Sequence, residues 1–223
     1  RRRQRRHALA AEDYGLAVQL IESHAMDLVM QWHVKTIDGW MRALPPEWAA
    51  QSPRANLAFA CKHVFAGQYA QATPYLERLQ ARFSGPQTDV EDPSLEAGWL
   101  ALQALLQGGQ GRPAESLELA NRALEIVPEN DSYVQSLIYT ALAGAYQQMD
   151  DDARAVQALQ MIIRHGRAAG NVASEMLGVS GLALMAVERG RLHFAFEVAS
   201  QGIERLERSG SLPPITTAVY GEL

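Results

Sequence analysis

ALAGAYQQMDDDARA, residues 141–155, carries a pattern that recurs along the chain. A small residue, Ala143, is followed by Tyr146, a turn at Asp150 and a second small residue, Ala155. The same skeleton returns as Ala183, Ala186, Gly190 and Ala195. Upstream it reads Ala104, Gln107, Gly111 and Ser116, and before that Ala60, His63, Gly67 and Ala72. The turn positions 67, 111, 150 and 190 lie 44, 39 and 40 residues apart, and self-similarity at such a period marks stacked repeats. Two antiparallel helices joined by a tight turn approach closely only where both carry small side chains. Ala143 is therefore expected to face Ala155, and Ala183 to face Ala195. The turn positions suit glycine, which takes positive φ without steric cost where a helix ends and the chain reverses. One such pair cannot bury its apolar stripe alone, so neighbouring pairs must stack.

Outward from this segment the helical spacing continues. Val172 to Glu188 pairs with Leu192 to Ser209, and Asp131 to Met149 with Asp152 to Ala169. Before these, Ser94 to Gln107 pairs with Pro113 to Val127, and a helix from Ser52 to Ala66 with one from Tyr69 to Phe83. Ser52 and Pro53 are good residues for an N-cap and a first turn. Residues 84–93, SGPQTDVEDP, read as the one long loop. The first part is less regular: Tyr14 to Gln31 reads as one apolar helix, followed by a stripe of Ile37, Trp40, Met41 and Leu44 that Pro45 and Pro46 end. No stretch alternates with period two. The expected fold is all-α, a right-handed superhelical stack of antiparallel helix pairs with a period of about 40 residues. It forms one helical-repeat domain over 1–223, irregular in 1–51, regular in 52–210, with the start of a further helix in 211–223. The abrupt RRRQRR beginning and the SLPPITTAVYGEL end read as those of a fragment from a longer chain.

With 48% hydrophobic residues among 223, the chain can bury a sizeable core. Acidic residues outnumber basic ones, 25 to 20, and Lys35 and Lys62 are the only lysines, which argues against a nucleic-acid surface. The Arg1–Arg6 run is too narrow to change this and reads as the solvated end of a helix. A single cysteine, Cys61, excludes an internal disulfide framework and fits a reducing, cytoplasmic compartment. No apolar run is long enough to span a bilayer. GQGRPA, 109–114, matches a loose G-x-G-x-x-A, but a helix precedes it where a dinucleotide fingerprint needs a strand. GVSG, 178–181, lacks the glycine a nucleophile elbow requires at Leu182. The six histidines show no metal-ligand spacing. No catalytic residue, metal site or cofactor is expected.

The small residues and proline of Gly111, Ala120, Ala123, Leu124 and Pro128 resemble the tetratricopeptide repeat. HALAAEDYGLAVQLIE (7–22), the Trp40–Leu44–Pro45 element and SPRANLAFACKHVFAGQYAQA (52–72) are similar to the repeat region of MalT-like, LuxR-type bacterial transcriptional activators. Asp150 departs from the usual turn glycine, and no G-x-x-x-x-G-K-[ST] loop is present. The resemblance implies a helical-repeat sensor flanked, in the parent regulator, by a nucleotide-binding module and a helix-turn-helix, and capable of self-association.

From this follows the expected function: a non-enzymatic ligand-sensing and protein-interaction module. Its first helices line a concave groove that takes a small-molecule inducer or a peptide. Arg54, Cys61, Trp99, Tyr139, Thr140, Gln147 and Ser180 are expected at or near that groove. The other partners are the remaining domains of the parent regulator; direct nucleic-acid or membrane binding is not expected of these residues. The alternative is a free-standing adaptor that binds a protein tail, for which the chain's two lysines equip it poorly.

Overall fold

The structure, a computed structural model, describes residues 14–30, 33–83 and 92–209. Every regular element among them is an α-helix. The chain divides into two compact units, 1–99 and 100–223.

In the first unit, α1 (Tyr14–Glu22), α2 (Ala25–Met30), α3 (Val34–Ala43) and α4 (Pro46–Gln51) precede the regular pair α5 (Pro53–Phe65) and α6 (Tyr69–Phe83). The expected single helix over 14–31 is therefore broken. Both the amide and the hydroxyl of Ser23 bond the Gln19 carbonyl, at 3.1 and 2.7 Å, a local competition that ends α1. The Pro45–Pro46 stop does end α3, but Pro46 also opens α4, because a proline costs nothing in a first helical turn. Trp48 of α4 packs against Tyr14, ring centroids 6.1 Å apart. Ser52 caps α5 as its spacing predicts: its hydroxyl accepts from the Ala55 amide at 3.1 Å and donates to Glu22 at 2.8 Å. Asn56 completes this joint by donating to the Ala49 and Ser52 carbonyls at 2.8 and 2.7 Å. Around these polar anchors Ile37, Phe59 and Leu79 are fully buried, and each such side chain contributes roughly 1.5–3 kcal/mol.

The helix α7 (Pro93–Gly109) begins in the first unit and ends in the second. The second unit continues with α8 (Pro113–Ile126), α9 (Ser132–Gln148), α10 (Asp152–Ala168), α11 (Val172–Glu188) and α12 (Leu192–Ser209). These match the spacing read from the sequence to within one or two residues. Asp131, Asp151 and Asn171 cap α9, α10 and α11, each side chain accepting an amide three residues on. Ala143 is buried on α9, Ala155 on α10 and Ala195 on α12, while Ala183 is only part-buried. The expected loop falls almost wholly on residues 84–91, which with 1–13 and 210–223 lies outside the described residues.

Gly67, Gly111 and Gly190 take positive φ at the turns, and Asp150 takes φ 57° at the equivalent place. Asp150 is the one non-glycine residue with positive φ among the described residues. The left-handed region crowds the Cβ of an L-residue, so Asp150→Gly is expected to stabilise the chain by about 0.5–1 kcal/mol in urea unfolding. The 3.8 Å approach of Arg189 to the Asp150 carboxylate is exposed and offsets little of this. A variant less stable than the parent would show that the carboxylate, not the backbone, decides this turn.

Candidate functional site

Of the residues expected at the groove, Arg54, Cys61 and Trp99 fall in the first unit and Tyr139, Thr140, Gln147 and Ser180 in the second. Arg54 is exposed and pairs with Asp92 at 2.6 Å. Cys61 is enclosed in the core, where burial pushes its thiol well above the ordinary range, so it packs and does not line an open surface. Trp99 rests on Phe83, centroids 5.2 Å apart, and its indole N–H is buried without a partner among the described residues.

The second unit brings some of its four residues together. Thr140, Gly144 and Gln147 stand three and four apart on α9, on one stripe, and a Cβ at Gly144 would meet nothing within 4 Å. Forty residues on, Ser180, Leu184 and Val187 occupy the equivalent stripe of α11, and all three are exposed. Two successive first helices thus each present an accessible stripe, half-buried and polar on α9, exposed and largely apolar on α11. The Thr140 hydroxyl donates to the Ser136 carbonyl at 2.7 Å, which leaves its lone pairs free to accept. Tyr139 belongs to a neighbouring stripe. Its ring stacks on His165 of α10 at 5.4 Å with 12° between planes, so it joins the two helices of its own pair. Burial, with the charge of Arg164 beside it, lowers the His165 pKa and favours the neutral ring.

Two arrangements had no signal in the repeat pattern. The first is Glu175 of α11, 2% exposed, whose carboxylate receives Arg167 Nε and Arg205 Nε, each at 2.7 Å. Three consecutive helices meet on that carboxylate. The second is a cleft of about 430 Å³ between the start of α10, the end of α11 and the start of α12. Leu182, Met185, Val156 and Phe194 give it an apolar lining, with Arg189 and Arg191 also on its wall. Gln157, on a second helix, lines this cleft as well. Arg189 grips Asp152 in a two-point fork, 2.7 and 2.6 Å, and that bond holds the Asp152 carboxyl below its usual range. The sequence offered one hint, a charged residue on each side of a glycine turn, but a turn also explains those residues.

Among the described residues no three His, Cys, Asp or Glu side chains are grouped to hold a metal ion, and no helix is long and apolar enough to cross a membrane.

The family model of the MalT-like TPR region matches residues 97–222. The HTH-type transcriptional regulator MalT of Serratia proteamaculans (strain 568) is 26% identical over 199 residues, 89% of this chain and 22% of that protein. MalT of Yersinia enterocolitica is 28% identical over 138 residues, 62% of this chain and 15% of its own. MalT of Yersinia pestis (strain Pestoides F) is 28% identical over 164 residues, 71% of this chain and 18% of its own. The chain thus spans about a fifth of the length of the curated relatives it matches. No solved structure matches it significantly.

Proposed function

This chain belongs to the MalT-like TPR region family, and from that premise we propose that it is the ligand-sensing and interaction module of its parent regulator, without a reaction of its own. The observation that carries this reading is the pair of open stripes on successive first helices. Thr140 and Gln147 offer neutral hydrogen-bonding groups, Gly144 leaves room beside them, and Leu184 and Val187 add apolar contact. Neutral donors and acceptors beside an apolar strip suit an uncharged polar metabolite such as a sugar, or an extended peptide backbone. Within the first unit, Arg54 and Trp99 are candidates for a contact of their own; Cys61, being enclosed, contributes shape alone. A ligand that touches two pairs favours one angle between them, and that differential affinity is how such a scaffold transmits occupancy. Self-association and contact with the parent's other domains are the outputs this reading assigns to the module, and the cytoplasm is its compartment.

Calorimetry of the purified chain with a panel of neutral mono- and oligosaccharides tests it. Gln147→Ala and Ser180→Ala, both at surface-accessible positions, should each weaken binding by about tenfold, one lost hydrogen bond to a well-placed ligand, with melting unchanged. Tyr139→Ala is a poorer probe because it also removes the stack on His165. The reading fails if no sugar binds, or if both variants bind as the parent does.

A further inference from the structure

We propose that the cleft between α10, α11 and α12 is a second binding site, for a small carboxylic acid with an apolar body. The site stands apart from the stripes of Thr140 and Ser180, neither of which lines it. Its volume, about 430 Å³, falls within the range of roughly 300–1,000 Å³ typical of small-molecule sites. The walls are unequal in character. Leu182 and Met185 are almost wholly buried, whereas Phe194 is 47% exposed, an aromatic face left in contact with water. An apolar body laid along Phe194 and Val156 removes that surface from water.

The charges decide the sign of the ligand. Two guanidiniums, Arg189 and Arg191, and one carboxylate, Asp152, line the cleft. Asp152 is already engaged at both oxygens by Arg189. Arg191 forms no ion pair among the described residues, although its charge reaches Asp152 and lowers its pKa behind the larger effect of Arg189. Among the lining residues one positive charge is therefore left over beside an apolar floor; Asp150, 3.8 Å from Arg189, lies outside the lining and is exposed to water, which screens it. A carboxylate fits a guanidinium's planar fork of donors, as the Arg189–Asp152 pair already displays in the same cleft. A dicarboxylate or phosphate would face Asp152 with a second negative charge, so a monoanion is the better match. Because the cleft takes its walls from two successive pairs, an occupant ties α10 to α12, and this gives the module a second input.

The test is titration of the purified chain with octanoate and 3-phenylpropionate, followed by calorimetry and saturation-transfer NMR. Octanamide and 3-phenylpropionamide serve as neutral isosteres. Saturable one-to-one binding of an acid is expected, about tenfold weaker for its amide and for Arg191→Gln, the loss of one charge-assisted contact. Ala153→Trp, a bulky change at an exposed position on the cleft wall, should abolish binding, while Gln147→Ala on the open stripe should leave it unchanged. Arg191 is exposed, so melting of Arg191→Gln should match the parent and tie any loss to the site. The proposal is overturned if neither acid saturates, if the amides bind as tightly as the acids, or if Arg191→Gln binds as the parent does. It is equally overturned if only a peptide ending in phenylalanine binds, or if Gln147→Ala removes acid binding.

Discussion

Gly178→Ala should lower stability by roughly 2 kcal/mol or more, although alanine is the better helix former by about 1 kcal/mol. A Cβ at Gly178 would stand 2.8 Å from the Leu159 carbonyl oxygen, 2.7 Å from Ile163 Cγ1 and 3.2 Å from the Ile163 amide nitrogen. Two of those three atoms are backbone of α10, inside a hydrogen-bonded helix that cannot give locally. Relief must come from separating α10 and α11, which opens packing along their whole crossing. Gly166, facing the start of α11, is constrained in the same way: its Cβ would meet the Glu175 amide nitrogen at 2.6 Å and the Asn171 carbonyl oxygen at 3.2 Å. Gly144 supplies the contrast. Nothing lies within 4 Å of its Cβ position, so Gly144→Ala should stabilise the chain by about 0.5–1 kcal/mol. Thermal melting of the three variants checks this, with Gly178→Ala and Gly166→Ala falling by about 5 °C or more and Gly144→Ala rising. If Gly178→Ala melts with the parent, the crossing of α10 and α11 is not as close as described.

The second large effect is at Glu175. Glu175→Ala should cost about 2 kcal/mol, less than the roughly 3–5 kcal/mol of breaking a fully buried pair. The difference comes from exposure: the Arg167 and Arg205 side chains are 54% and 50% accessible, and once the carboxylate is gone they can turn to water. What cannot be recovered is the tie among α10, α11 and α12, which the carboxylate makes by accepting from both arginines at once. Glu175→Gln keeps the volume but sets an amide N–H₂ against a guanidinium, donor to donor, so it should also destabilise. Urea unfolding of both variants measures the loss. A Glu175→Gln chain as stable as the parent would mean that shape, not charge, holds these helices together.

The glycines at 166 and 178 and the acid at 175 have a common reason for escaping a reading of the residues. Turn chemistry is local: Asp151 caps the amide of Arg154 three residues on, and Gly190 reverses the chain within its own turn. Such signals sit inside a window of a few positions, which is why the helices from α5 onward were legible to within a residue or two. The break at Ser23 is local too, but serine in an apolar helical pattern is commonplace, and only the two hydrogen bonds it donates to the Gln19 carbonyl show that it wins. Glu175 and Arg205 are thirty residues apart, and Glu175 reads like any solvent-facing acid in the first turn of a helix.

The residues of this chain determined, by themselves, that it is helical, where most helices turn, and that they pair and repeat with a period near 40. Those properties follow from backbone sterics and from the need of each amphipathic helix to hide one stripe. Tertiary structure decided which glycines are crossings and which are merely open, as Gly178 and Gly144 illustrate on successive first helices. It also decided that Cys61 and Tyr139 pack while Gln147 and Ser180 stay accessible, and that Arg189 and Arg191 share a cleft with Leu182. Each of these depends on the rotation of one helix against the next. A rotation of some tens of degrees moves a side chain from core to surface, and that angle is set by the packing of every neighbour at once.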